Sequence, residues 1–133
     1  MAGRVLIVDD EKNIRRTLEM IHQNAGWDTR AAEDVNEALA VLSDESFDLV
    51  YMDLSMPGRD GIEGLAEIKK RLPDQMVVIL TGQGSIERAV EAVKLGAFDF
   101  LEKDCGKEKI LLTSRNAFER RALARENIML KKK

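Results

Sequence analysis

Apolar residues fall along this chain in two alternating patterns. Residues 5–8 (VLIV), 49–52 (LVYM) and 77–80 (VVIL) are short unbroken runs, whereas the segments between them carry apolar residues every three or four positions. Unbroken runs suit strands covered on both faces, and the spaced ones suit amphipathic helices. Ile14, Leu18, Ile21 and Ala25 predict a helix over 12–25 that Gly26 stops. Residues 27–32 (WDTRAA) are less apolar and predict an edge strand. Asp34 followed by Glu37 resembles a capping box ahead of Val35, Ala38, Leu39 and Leu42. Ile62, Leu65, Ala66 and Ile68 share one helix face before Pro73. Ser85 is placed to cap a helix carrying Ile86, Ala89, Val90 and Val93, closed by Gly96. Residues 98–101 predict a last strand, and a last helix starts near residue 107.

Five strand–helix units with short connections predict an α/β fold, a doubly wound five-stranded parallel sheet with helices on both faces. In such sheets ligands bind outside the carboxyl ends of the strands. The residues at those ends are Asp9 and Asp10, Asp53, Thr81 and Lys103. Three carboxylates brought together repel, so at least one pKa rises unless a cation joins them. An all-oxygen donor set suits a hard octahedral ion, Mg²⁺ before others. Carboxylates, Mg²⁺, a lysine and a hydroxyl together serve phosphoryl transfer, which needs an in-line nucleophile and positive charge on the moving group. Asp53, central among the five positions, is the candidate nucleophile.

At these positions the chain resembles the receiver domains of bacterial two-component response regulators. The residues that carry the resemblance are VLIVDD at 5–10, DLVYMDLSMPGRDG at 48–61, VVILTG at 77–82 and GAFDFLEK at 96–103. A DD pair alone would mean little; the joint spacing is specific. The resemblance implies the strand order 2-1-3-4-5 of the flavodoxin-like folds. It also implies that Asp53 is the phosphoacceptor, that Asp10 and Asp53 bind Mg²⁺ directly, that Asp9 reaches it through water, and that the backbone carbonyl of Ser55 completes the protein ligands. By the same resemblance Thr81 supplies a hydroxyl that turns toward the phosphoryl group, Phe100 moves with it, and Lys103 pairs with a phosphoryl oxygen. Ser55 and Gln83 occupy the positions that tune water access to the acyl phosphate. The chain departs from the family after Lys103, where proline is usual and Asp104 stands. A cis bond there would cost about 2.5–4 kcal/mol, so a trans bond is expected.

Composition narrows the function. With 133 residues, 44% of them hydrophobic, the chain suits one domain with one core. The net charge of −3 gives no global signal for nucleic acid or membrane, but it is unevenly spread. Residues 107–133 hold nine basic and three acidic side chains, and residues 1–106 hold 12 basic and 21 acidic ones. That basic end reads as a solvated helix face or an interaction tail. The single cysteine, Cys105, reads as an inert loop thiol and suits a reducing cytoplasm. No apolar run approaches the roughly 18 residues that span a bilayer.

His22 is the only histidine and is expected in a partly exposed structural role. With no second histidine to donate a phosphoryl group, the donor is expected to be a partner sensor histidine kinase or a small acyl phosphate.

The segment GSIERAVEAVKLGAFDFLEK resembles the receivers of nitrogen-regulatory, sigma-54-dependent transcriptional activators. There the last helix continues toward an ATPase domain and a DNA-binding domain. The expected organisation is a receiver domain over 1–120 and a helical extension over 121–133 leading to an output half outside this chain; a stand-alone receiver with a basic tail is the alternative. In the extension Leu123, Asn127 and Leu130 have coiled-coil spacing, though over barely one heptad. A phosphorylation-dependent homodimer is expected, with DNA bound only through the missing half. Two other functions compete. A haloacid-dehalogenase-like aspartyl phosphatase would need a second Asp at position 55, where Ser55 stands. A phosphorylation-independent scaffold is opposed by the intact acidic set and left open by Asp104.

Overall fold

The computed structural model describes residues 3–82 and 86–131, with side-chain surroundings through residue 123. Five strands and five helices alternate: β1 (Arg4–Val8), α1 (Lys12–Asn24), β2 (Asp28–Ala32), α2 (Val35–Asp44), β3 (Leu49–Asp53), α3 (Gly61–Arg71), β4 (Val77–Thr81), α4 (Ile86–Lys94), β5 (Asp99–Glu102) and α5 (Lys107–Lys131). All strand pairs are parallel and the order is β2-β1-β3-β4-β5.

The unbroken apolar runs are explained by the two faces of this sheet. Alternate strand residues point to opposite sides. Leu6, Val8, Val50, Met52, Val77 and Ile79 join Val35, Leu39, Leu65 and Ile68 in one core. Val5, Ile7, Leu49, Tyr51, Val78 and Leu80 join Leu18, Ile110 and Ala117 in the other. Each fully buried Val, Leu or Ile contributes about 1.5–3 kcal/mol, so the three central strands hold the sheet. The edge strand β2 is half exposed, which is why its sequence is less apolar.

Helix ends follow the expected chemistry in most places. Gly26 adopts φ 91° just beyond α1, a conformation other residues resist. The Asp34 side chain accepts from the Glu37 amide at 2.8 Å, so Asp34 caps α2. Ser85 lies outside the described residues. The last strand begins one residue later than expected, at Asp99; Phe98 precedes it and donates its amide to the Val77 carbonyl at 2.8 Å.

His22 corrects an expectation. It is fully buried, not partly exposed. Its Nδ1 lies 2.7 Å from the Leu18 carbonyl and its Nε2 lies 2.7 Å from Ser114 Oγ. Ser114 in turn meets Tyr51, whose hydroxyl donates to the Ile110 carbonyl at 3.1 Å. This chain of polar contacts ties α1, β3 and α5 together, and every member is satisfied, as burial demands. Burial pushes the His22 pKa down, so the ring is held neutral.

At 25 residues, α5 is about 37 Å long, roughly twice a five-residue strand. Ile110 and Ala117 are buried against the sheet, and the Phe118 ring packs edge-on against Trp27. Arg121 donates to the Phe47 carbonyl at 2.7 Å and contacts Asp48 at 2.9 Å. Leu123 beyond it is 58% exposed, and the side chains of Asn127 and Leu130 lie outside those described. Among the described residues no helix is long and apolar enough to cross a membrane.

Candidate functional site

The parallel sheet brings the expected residues to one rim. Register sets Asp53 opposite Leu80, and Thr81 opposite Glu102. The Lys103 amide then donates to the Thr81 carbonyl at 2.9 Å, carrying the pairing one residue beyond β5. Asp9 extends β1 in the same way, donating to the Ala32 carbonyl at 3.1 Å.

Asp9 and Asp53 are buried, at 0% and 1% exposure, whereas Asp10 is exposed. Each of the three offers a carboxylate oxygen within 4.8 Å of the others. Lys103 Nζ sits among them, 3.0 Å from Asp9 Oδ2 and 3.1 Å from Asp53 Oδ2. Neither contact is aligned as a hydrogen bond: both Oδ2 atoms are buried without a hydrogen-bond partner among the described residues. The aligned bond of Lys103 goes to Glu11 Oε2, at 3.0 Å.

The electrostatics follow from this crowding. Desolvation, then the neighbouring charge of Asp9, pushes Asp53 up to about 7, with Lys103 opposing the rise. Asp9 is raised as well, chiefly by desolvation. Desolvation alone would lower the Lys103 pKa, but the carboxylates of Glu11, Asp9 and Asp53 outweigh it and keep the ammonium protonated. Two buried carboxylate oxygens that lack an aligned hydrogen bond and an exposed third carboxylate form a hard, all-oxygen donor set that Mg²⁺ fits, and a cation there would relieve the repulsion.

The loop after β3 is shaped by one missing side chain. A Cβ on Gly61 would lie 2.3 Å from the Asp53 carbonyl oxygen and 2.8 Å from the Leu54 Cα. Glycine lets the start of α3 close on the backbone of Asp53, and the Gly61 amide donates to the Leu54 carbonyl at 2.9 Å. Asp60 caps α3 through the Ile62 and Glu63 amides, and Arg88 of α4 pairs with it at 2.9 Å.

The remaining expected residues take different situations. Ser55 is exposed, and its amide donates to Asp53 Oδ1 at 3.2 Å. Thr81 is fully buried, with its hydroxyl turned to the Gly82 carbonyl at 2.7 Å. Phe100 is half-buried against the core on the α2, α3 and α4 side of the sheet. Gln83 lies outside the described residues. Asp104 is exposed, and no cis peptide bond occurs among the described residues, so the bond after Lys103 is trans as expected. Burial raises the Cys105 thiol pKa, which keeps it in its unreactive form. Sequence reasoning missed Glu11. An acidic residue after a DD pair reads as ordinary helix-start chemistry, and only the fold brings it to a lysine 92 positions away.

Known proteins resemble this chain in sequence and fold. Residues 5–115 match the response regulator receiver domain. The chain is 40% identical over 131 residues to a response regulator of Rickettsia bellii described as NtrX-like, covering 97% of this chain and 27% of that protein. It is 38% identical over 128 residues to the nitrogen assimilation regulatory protein NtrX of Azorhizobium caulinodans, covering 95% of this chain and 28% of that protein. The crystal structure of NtrX from Brucella abortus in complex with ADP matches with a TM-score of 0.95 at 40% identity, over 98% of this chain and 30% of that one. The chain thus spans less than a third of the length of these relatives. With most of its length matched, the chain belongs to the response regulator receiver domain family.

Proposed function

We propose that this chain is the phosphoacceptor domain of a two-component response regulator, and that a partner sensor histidine kinase phosphorylates Asp53 in a Mg²⁺-dependent reaction. The observation that carries the reading is Asp53 Oδ2: buried, without a hydrogen bond, and 3.1 Å from a lysine ammonium at the end of the central strand. An oxygen held by an ammonium charge but given no aligned hydrogen bond keeps its lone pairs open to a reaction partner.

In the proposed reaction an Asp53 carboxylate oxygen attacks phosphorus. The new O–P bond forms as the bond from phosphorus to the donor breaks. Its electron pair leaves with the imidazole nitrogen of a phosphohistidine, or with the carboxylate oxygen of a small acyl phosphate. When bound, Mg²⁺ supplies positive charge to the phosphoryl oxygens; Asp10, Asp53 and the Ser55 carbonyl would hold it directly and Asp9 through water. Lys103 neutralises a phosphoryl oxygen. Thr81 exchanges its bond to Gly82 for one to the phosphoryl group, and Phe100 follows. Ser55 and Gln83 govern the access of water. The domain accepts and slowly loses one phosphoryl group and does not turn over an external substrate.

The output is proposed from the surface and the relatives. Ile86, Val90, Val93 and Leu95, on and just after α4, and Leu112 on α5 are exposed apolar side chains. They offer a surface for phosphorylation-dependent homodimerisation. Residues 1–120 are taken as the receiver domain and 121–133 as the extension toward an output half; Arg121, anchored on Phe47 and Asp48, docks the first residue of that extension on the receiver. Names such as nitrogen assimilation regulatory protein and C4-dicarboxylate transport transcriptional regulatory protein among the relatives support a transcriptional output; the sigma-54 type and a cytoplasmic location are proposed from the resemblance carried by GSIERAVEAVKLGAFDFLEK and by the receiver family. The test is incubation with a small acyl phosphate and Mg²⁺ followed by intact mass. Gain of one phosphoryl group that chelation prevents is expected, and equal gain in chelator would overturn the reading.

A further inference from the structure

Glu11 is the N-cap of α1, yet its side chain makes no capping hydrogen bond, and the first turn of α1 carries no acidic residue. A carboxylate at a helix start is ordinarily stabilised by the exposed amides there. Here the carboxylate leaves those amides and takes the one aligned hydrogen bond of Lys103, at 3.0 Å. The backbone beneath it is fixed: its amide donates to Asp9 Oδ1 at 2.9 Å, and its carbonyl accepts from Arg15 at 3.1 Å. The contact closes the rim between the loop after β1 and the loop after β5.

The consequence falls on Asp53. Lys103 Nζ is within ion-pair distance of Asp9 Oδ2 and Asp53 Oδ2, and both oxygens remain without a hydrogen bond. A lysine ammonium has three donors; Glu11 takes one, and the two that remain reach the buried oxygens at ion-pair distance without an aligned hydrogen bond. We propose that Glu11 is a positioning residue for Lys103: it draws the aligned hydrogen bond outward, so that the ammonium supplies charge while Asp53 Oδ2 stays open to metal and phosphoryl donor. The proposal rests on the reading of Asp53 as phosphoacceptor and adds a residue to it. Lys103 and a cation compete for the same oxygens, so losing Glu11 strengthens the competitor.

The test is a double-mutant cycle read in two ways. Mg²⁺ affinity is measured by calorimetry with magnesium chloride on the wild type, Glu11→Ala, Lys103→Gln and the double variant. Glu11→Ala is expected to weaken Mg²⁺ several-fold in the wild-type background and by less than about twofold beside Lys103→Gln, following the coupling expected of residues in one ion-pair network. Glu11→Gln, which keeps an acceptor for Lys103 but no charge, is expected to fall between wild type and Glu11→Ala. Equal losses in both backgrounds, or equal losses for Glu11→Ala and Glu11→Gln, would mean that Glu11 acts on the metal by charge alone and would overturn the proposal. The second readout is the ¹³C shift of the Asp53 carboxyl in metal-free protein. It is expected to move in Glu11→Ala and to stay put when the same change is made beside Lys103→Gln; an unmoved shift in the single variant also overturns the proposal. A wild type that binds no Mg²⁺ would count against the functional reading instead, while the metal-free shift still decides the role of Glu11.

Discussion

Replacing Asp53 by Asn in the metal-free protein removes a carboxylate that folding forces into a buried, repulsive site. Its pKa lies at about 7 in the folded chain against 3.8 for an ordinary aspartate. A carboxylate whose pKa is raised by folding contributes fully below its unfolded pKa, where it is neutral. That contribution is lost as pH rises through the folded value. The window therefore runs from 3.8 to about 7. About three pKa units at ~1.4 kcal/mol each set a ceiling of roughly 4 kcal/mol. Asp9 shares the burden, and its own pKa relaxes when Asp53 is gone, so a gain on the order of 2–4 kcal/mol is expected at pH 8. The asparagine keeps an oxygen for the Ser55 amide and nearly the same shape, but its amide nitrogen takes the place of Oδ2, 3.1 Å from the Lys103 ammonium, and this donor facing a donor holds the gain below the ceiling. Urea denaturation in chelator, at several values from about pH 4 to about pH 8, measures the difference between variant and wild type. His22 titrates in both proteins and cancels. The difference should be smallest near pH 4, grow up to about pH 7 and then level off. A difference that does not vary with pH would refute the reasoning, since the buried charge is its only source.

Three further changes probe the supports of the site. Gly61→Ala sets a methyl group 2.3 Å from the Asp53 carbonyl oxygen; overpacking of this kind costs about 1–3 kcal/mol, and a lower Tm together with weaker Mg²⁺ binding by calorimetry is expected. An alanine variant with wild-type values for both would show that the close approach is not required. His22, held neutral by burial, stabilises the fold above pH 6.5, and that contribution is lost as pH falls toward its depressed folded pKa. His22→Gln should therefore be less stable than wild type at neutral pH, by about 1–3 kcal/mol for the buried hydrogen bond between the ring and Ser114, and its acid limb should be shallower in urea titrations. Arg121→Ala removes bonds to Phe47 and Asp48; faster amide exchange over residues 117–123 is expected, with little change at β3.

The fold was legible because its signals are local. Unbroken apolar runs at 5–8, 49–52 and 77–80 can be read without knowing their neighbours, and they become the three strands buried on both faces. Strand direction then brings Asp9, Asp10, Asp53, Thr81 and Lys103 to one rim. Contacts between distant segments were not legible. His22 sits between Ile21 and Gln23, and nothing nearby reveals that Ser114 and Tyr51 await it in the core. Nothing beside Gly61 in the sequence shows that it opens α3 against the Asp53 backbone. Glu11 looked like helix-start charge, yet its side chain serves Lys103. The start of the last strand slipped by one residue because Phe98 is apolar and bonded to Val77 without being part of it.

Asp53 is the proposed acceptor in phosphoryl transfer, and reductive trapping tests that most directly. Protein treated with a small acyl phosphate and Mg²⁺ is reduced with borohydride, which converts an aspartyl phosphate to homoserine, and is then sequenced by tandem mass spectrometry. Homoserine at position 53, absent when Mg²⁺ or the acyl phosphate is withheld, is the predicted result. Homoserine at Asp9 or Asp10 with Asp53 unchanged, or a phosphoryl group retained on another residue, would contradict it.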